Sequence, residues 1–188
     1  MKESSLKFKP KFEKILELLL YLAHKRPGAD HYQAVKFLYL ADKEHLNKYG
    51  RPITYEKYCA MQYGPVASNA LDLIKEKPGS FKKFGISELP FELEHLDKVI
   101  IIRRAKREVN YDLFSKSDLE VFDFILKEYG QKSFGELYNI THADFAYRNA
   151  RGNEKSTKSP PMSYEDMIEE SPKKSSFIKD FSPIADRL

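Results

Sequence analysis

Phe12, Ile15, Leu16, Leu19, Leu22 and Ala23 recur at the i, i+3, i+4, i+7 spacing of one helix face, and Leu18, Leu20 and Tyr21 carry the apolar surface round to its flanks. A helix over residues 11–25 that is apolar on most sides must sit at the centre of whatever the rest of the chain builds. Pro27-Gly28 stops it. The uncharged stretch from Leu18 to His24 is far too short to span a bilayer, which takes about 20 apolar residues. Charges at Glu13, Lys14 and Glu17 interrupt any signal-peptide core. Cys59 is the only cysteine in 188 residues, which excludes an internal disulfide and a cysteine-based zinc site. The expectation is a soluble cytoplasmic protein with one core and no membrane association.

Punctuation divides the remainder. Asp30 is placed to cap a second helix from His31 to about Tyr49, and Gly50 and Pro52 end it. From Ile53 to Tyr63 the residue types favour a strand, with Gly64-Pro65 as its end. Val66–Lys77 reads as helix capped by Ser68, and Pro78-Gly79 closes it. Val99-Ile100-Ile101-Ile102 is the clearest strand signal, with Val109–Leu113 as its expected hairpin partner. Ser117 is placed to cap a helix ending at Tyr129-Gly130, and Ser133 a shorter one. The fold class this predicts is α+β: a predominantly helical single domain over residues 1–150, with a small antiparallel β element from the Tyr55–Gln62 and Val99–Leu113 regions. Residues 151–188, rich in Ser and Pro, read as an extended tail that wraps or stays mobile, with a short amphipathic patch at Tyr164–Ile168.

Catalytic signatures are absent. The eight glycines are dispersed and form neither a phosphate loop nor a dinucleotide fingerprint, and there is no nucleophile elbow and no HExxH. No catalytic residue, cofactor or metal is expected. Asp42 and His45 share a helix face and would become an acid–base or metal site if His142 or Asp144 joined them; a self-satisfied core histidine is the favoured reading. Arg103-Arg104-Ala105-Lys106-Arg107 reads as a charged hairpin tip that protects a sheet edge rather than as a phosphate contact. The Ser117–Tyr147 segment has a helix-turn-helix outline, but its second helix lacks the side chains that read base edges, so nucleic acid is not the expected partner. Twelve tyrosines and thirteen phenylalanines are unusual for a chain of this length. Tyr49, Tyr55, Tyr58 and Tyr63, close to Arg51, concentrate the residue types of interface hot spots, with about half of the four expected on the surface.

Lys36-Phe37-Leu38-Tyr39-Leu40-Ala41-Asp42, His45-Leu46 and Lys48-Tyr49-Gly50-Arg51-Pro52-Ile53-Thr54 resemble the Panacea, or SocA-like antitoxin, domain. The likeness continues through Tyr58, Ala60, Tyr63-Gly64-Pro65-Val66 and Ser68, and then Ser117-Asp118-Leu119, Ser133, Leu137 and Thr141-His142. It covers roughly residues 11–150. Where the family has an aromatic, often Trp, after the Thr-His pair, this chain has Phe145 and Tyr147. The resemblance implies a non-catalytic antitoxin that neutralises a cognate protein toxin by direct binding and occlusion of its active surface. It also admits an adaptor that delivers the toxin to an ATP-dependent protease, and the helix-turn-helix outline admits a DNA-binding autoregulator. The contact residues expected on this reading are Arg51, Tyr55, Tyr58, Arg103, Arg104 and Arg107, with Tyr164, Met167 and Phe177 of the tail ordering on the partner.

Overall fold

Every residue from Ile15 to Ala23 of helix α1 (Phe12–Lys25) is buried, Glu17 included, as a central helix requires. The computed structural model describes residues 6–152, 159–169 and Ile178. Helix α2 (His31–Tyr49) opens with a capping box in which Asp30 accepts from the Gln33 amide and Gln33 returns a side-chain bond to the Asp30 amide. It ends at Gly50, whose φ of 79° is the left-handed conformation the sequence reserved for it. All side chains from Ala34 to Asp42 are buried, so α2 is the second central helix.

Strands β1 (Tyr58–Met61) and β2 (Gly64–Ala67) form an antiparallel hairpin with Tyr58 opposite Ala67 and Met61 opposite Gly64. Gly64-Pro65 therefore begins the second strand instead of breaking into helix. The following helix, α3 (Ser68–Ile74), starts without a side-chain cap. After the short α4 (Ser80–Phe84), β3 (Phe91–Leu96) and β4 (Val99–Ala105) make a second antiparallel pair, bulged between Phe91 and Leu93. The expected forward pairing of Val99–Arg104 with Val109–Leu113 is overturned. The strand pairs backward, across the two-residue Asp97-Lys98 turn, and Tyr111–Leu113 is a 3-10 turn. The two-residue turn, with Asp97 at a φ of 36°, closes the backward hairpin locally, and across it Glu92 and Glu94 on β3 meet Arg104 and Arg103 on β4. The α1–α2 connection docks this sheet, with the Gly28 amide donating to the Ile102 carbonyl at 2.8 Å and the Ile102 amide to Ala29 at 2.9 Å.

Helices α5 (Lys116–Tyr129), α6 (Phe134–His142) and α7 (Phe145–Arg151) complete the helical layer. Ser133 caps α6 as expected, but α5 is capped by Ser115 through a capping box with Asp118, which frees Ser117 to face His45. Residues 159–169 return to the hairpin: the Ala60 amide donates to Pro160 at 2.8 Å and the Met162 amide to Tyr58 at 2.9 Å. This satisfies the outer edge of β1, and α8 (Tyr164–Met167) then sinks Tyr164 and Met167 into the core. The architecture is α+β and predominantly helical, with two separate antiparallel hairpins where the sequence suggested one element.

Candidate functional site

Three buried polar groups fix the geometry around α2. Asp42 is inaccessible and accepts from the Ile53 and Thr54 amides and the Tyr58 hydroxyl, each at 2.8 Å, and from the Thr54 hydroxyl. Burial raises its pKa, against the pull of those hydrogen bonds. Asp42 thus ties the Ile53-Thr54 loop and β1 to the helix, and the pairing with His45 expected as an alternative does not occur. His45 faces the Arg51 carbonyl at 2.7 Å and Ser117 at 3.0 Å, and lies 3.1 Å from Asp118. Asp144 is bound to Lys43 instead. The second group is Asp118, which holds Lys14 at 2.8 Å and Arg51 at 2.7 Å. Burial opposes its ionisation, but hydrogen bonds from His45 and Lys14 outweigh burial and keep the carboxyl well below the usual range.

The third is Lys36. Its side chain is fully buried, and its amine donates to the Pro65 carbonyl at 2.6 Å and lies 4.8 Å from the Tyr32 ring centre. Gly64 passes over it with φ of 100°, and a Cβ there would come within 2.8 Å of both Lys36 Nζ and Thr141 Oγ1. Glycine is therefore required twice, by conformation and by close approach.

Burial lowers the Lys36 amine to about 7. Between that value and the ordinary lysine pKa the unfolded chain binds a proton that the folded chain does not, so stability must rise with pH through this window. Below pH 7 both states are protonated and the burial penalty is constant. Lys36→Met should remove the rise. We expect wild type to gain about 2–4 kcal/mol relative to the variant between pH 7 and 10 in urea titrations. Parallel curves would show that the buried amine keeps its ordinary affinity for protons.

Directly above this lysine the surface is aromatic. Tyr32 of α2 lies 4.3 Å from Phe134 at the start of α6, which also meets Tyr63 of the β1–β2 turn at 5.9 Å and Tyr138 at 6.2 Å. Tyr138 stacks on His142 at 3.6 Å, and His142 lies 4.4 Å from Tyr147. Tyr63 is 53% exposed and Phe134 52%. Four motif segments distant in sequence meet here: Lys36, Tyr63-Gly64-Pro65, Thr141-His142 and Tyr147. Of the two aromatics after the Thr-His pair, Tyr147 turns inward and donates to the Met61 carbonyl, while Phe145 stays exposed.

Of the contact residues expected from sequence, few are available to a partner. Tyr58 is buried against Asp42, and its hydroxyl is hydrogen-bonded there. Tyr55 is buried against Phe8, with φ of 56°. Tyr164 and Met167, expected to order on a partner, are buried in the protein's own core. Phe177 lies outside the described residues. Arg103 and Arg104 are matched by Glu94 and Glu92 on the neighbouring strand, and Arg107 by Glu17, away from the hairpin tip at Asp97-Lys98. Arg51 is partly accessible but bound to Asp118. Two of the four tyrosines in the 49–63 series are exposed, Tyr49 and Tyr63, and neither is among the expected contact residues. In sequence Phe134 shares the helical stripe of Leu137 and Thr141, and only the tertiary structure shows that α6 begins beyond the edge of the core.

No group of three or more His, Cys, Asp and Glu side chains among the described residues could hold a metal ion, and no helix among them is long and apolar enough to cross a membrane. Comparison with protein families matches residues 35–146, more than half of the chain, to the family described as antitoxin SocA-like, Panacea domain. Neither the curated proteins nor the solved structures give a match. The matched span runs from the turn of α2 that carries Lys36 to the start of α7 and so holds most of the aromatic face. The chain belongs to the SocA-like antitoxin family and carries its Panacea domain.

Proposed function

We propose that this protein neutralises a cognate protein toxin in the cytoplasm by direct binding, and that the aromatic face of Tyr63, Phe134 and Tyr138 is the contact surface. The observation that carries the reading is the exposure of Tyr63 and Phe134, by about half each, within one continuous row of rings. Solvated aromatic clusters of this kind mark interaction sites, and Tyr is a frequent anchor in them. A rigid platform stands beneath: Lys36, Pro65 and Thr141 are buried. Occlusion of a toxin's active surface needs an interface of around 1,600 Å² in total, so the face would form its centre and neighbouring polar residues its rim.

The test is co-expression of the toxin with a Tyr63→Ser/Phe134→Ser double variant. Both side chains are half exposed, so the fold should tolerate the change. Neutralisation should be lost, with affinity weakened by about a hundredfold or more. A folded double variant that still protects cells would move the contact surface elsewhere. Toxin half-life in the same cells separates steric inhibition from delivery to an ATP-dependent protease, since delivery shortens it.

A further inference from the structure

A groove of about 740 Å³ opens at the start of α1, at the opposite end of α2 from the aromatic face. Lys11, Lys14, Arg51, Lys82 and Lys83 line it, with Glu13 as the sole lining carboxylate. Lys14 and Arg51 share the single carboxylate of Asp118. Lys83 donates to the amide oxygen of Asn69 at 2.9 Å, and its amine lies 5.9 Å from the Phe12 ring centre. Lys11 lies over the Tyr55 ring, and Lys82 has no anionic partner among the described residues. Five cations therefore stand against two carboxylates, a surplus of three. A cluster of like charges on one concave surface is unfavourable unless something anionic is brought to it.

The floor is not polar. Phe12 and Phe84 pack edge to face at 5.2 Å, and Tyr55 closes the wall with its backbone at a φ of 56°, a conformation rare for a bulky residue. The volume lies within the usual range for small-molecule sites, and a planar apolar surface beside a surplus of cations suits a ring joined to several negative charges. An inorganic anion would use the lysines and leave the rings unused. We propose that this groove binds a nucleoside polyphosphate, with its phosphates on Lys11, Lys82 and Lys83 and its base against Phe12. Because the groove and the aromatic face lie at opposite ends of α2, this does not depend on the aromatic face being the toxin contact.

Calorimetric titration of the full-length protein with ATP, GTP and tripolyphosphate tests it. Saturable binding of at least one nucleotide is expected, weakening as salt rises and falling about tenfold in Lys11→Gln/Lys82→Gln, whose unfolding midpoint should stay unchanged because both side chains are exposed. Tripolyphosphate should bind more weakly than that nucleotide, and Phe12→Leu should weaken the nucleotide while leaving tripolyphosphate unaffected. Tripolyphosphate binding as tightly as the nucleotides would overturn the nucleoside part of the proposal. Absence of saturation with either nucleotide at millimolar concentration and low salt, or equal binding by the lysine variant, would overturn the site itself.

Discussion

Replacing Asp42 by alanine is expected to lower the free energy of unfolding by about 4 kcal/mol, because several buried donors lose their acceptor at once. The Ile53 and Thr54 amides, the Thr54 hydroxyl and the Tyr58 hydroxyl all converge on this carboxylate. Tyr58 has a second acceptor in the Leu38 carbonyl at 3.0 Å, but the two amides have nothing else to turn to among the described residues. Each buried donor left without a partner costs roughly 1–3 kcal/mol, and their sum is limited by how far the loop relaxes. Asp42→Asn should cost clearly less than Asp42→Ala. The asparagine oxygen can keep the two amides that share Oδ1, and the Thr54 and Tyr58 hydroxyls on Oδ2 can turn to accept from its NH2. Tyr58→Phe removes a single hydroxyl and should cost only about 1 kcal/mol. Urea denaturation of the three variants checks the order. An Asp42→Ala variant within 1 kcal/mol of wild type would mean that the loop rearranges and water reaches the cavity.

The same residue shows what could be read from sequence and what could not. Asp42 and His45 were legible as neighbours on α2, and their spacing allowed an acid–base pair. What the spacing did not contain was the loop of residues 51–54, which folds back to supply amides to one of them and a carbonyl to the other. Local signals fared better. Asp30, Gly50 and Ser133 act through hydrogen bonds and φ values within their own turns, and all three stand where expected. β4 reads as a strand, but its partner is the segment before it, reached through the Asp97-Lys98 turn, and the apolar run of β4 itself does not say on which side its partner lies. The tyrosines show the same division: residue type identified an aromatic-rich surface, but exposure depends on whether an element projects past the core. Tyr58 and Tyr63 are five residues apart in one hairpin, and one is buried while the other is exposed.

The segment of residues 159–169 gives the other large effect. Tyr164→Ala is expected to cost about 3–4 kcal/mol, in the range for removing a large buried ring, and to loosen the whole segment rather than leave a local void. The ring of Tyr164 lies 5.0 Å from Phe8 and 5.9 Å from Tyr58, and its hydroxyl donates to the Glu56 carbonyl at 2.8 Å. The adjoining Glu165 accepts the Leu6 amide, so the loss reaches the segment that precedes α1 as well. Among the described residues, the Ala60 and Met162 amides are the backbone bonds between this segment and β1, and they lie at the edge of the hairpin. Hydrogen exchange therefore separates the two possible outcomes. In the variant the Ala60 amide, which donates to Pro160, should exchange quickly. The α2 amides from Phe37 to Ala41, deep in the core, should follow the reduced global stability and no more. If Ala60 stays as protected as those helix amides, the segment is held by its backbone bonds and Met167, and Tyr164 only fills space. If Ala60 alone is released, residues 159–169 form a separate cooperative unit laid over the free edge of β1. That edge would then be open to strand addition by another chain.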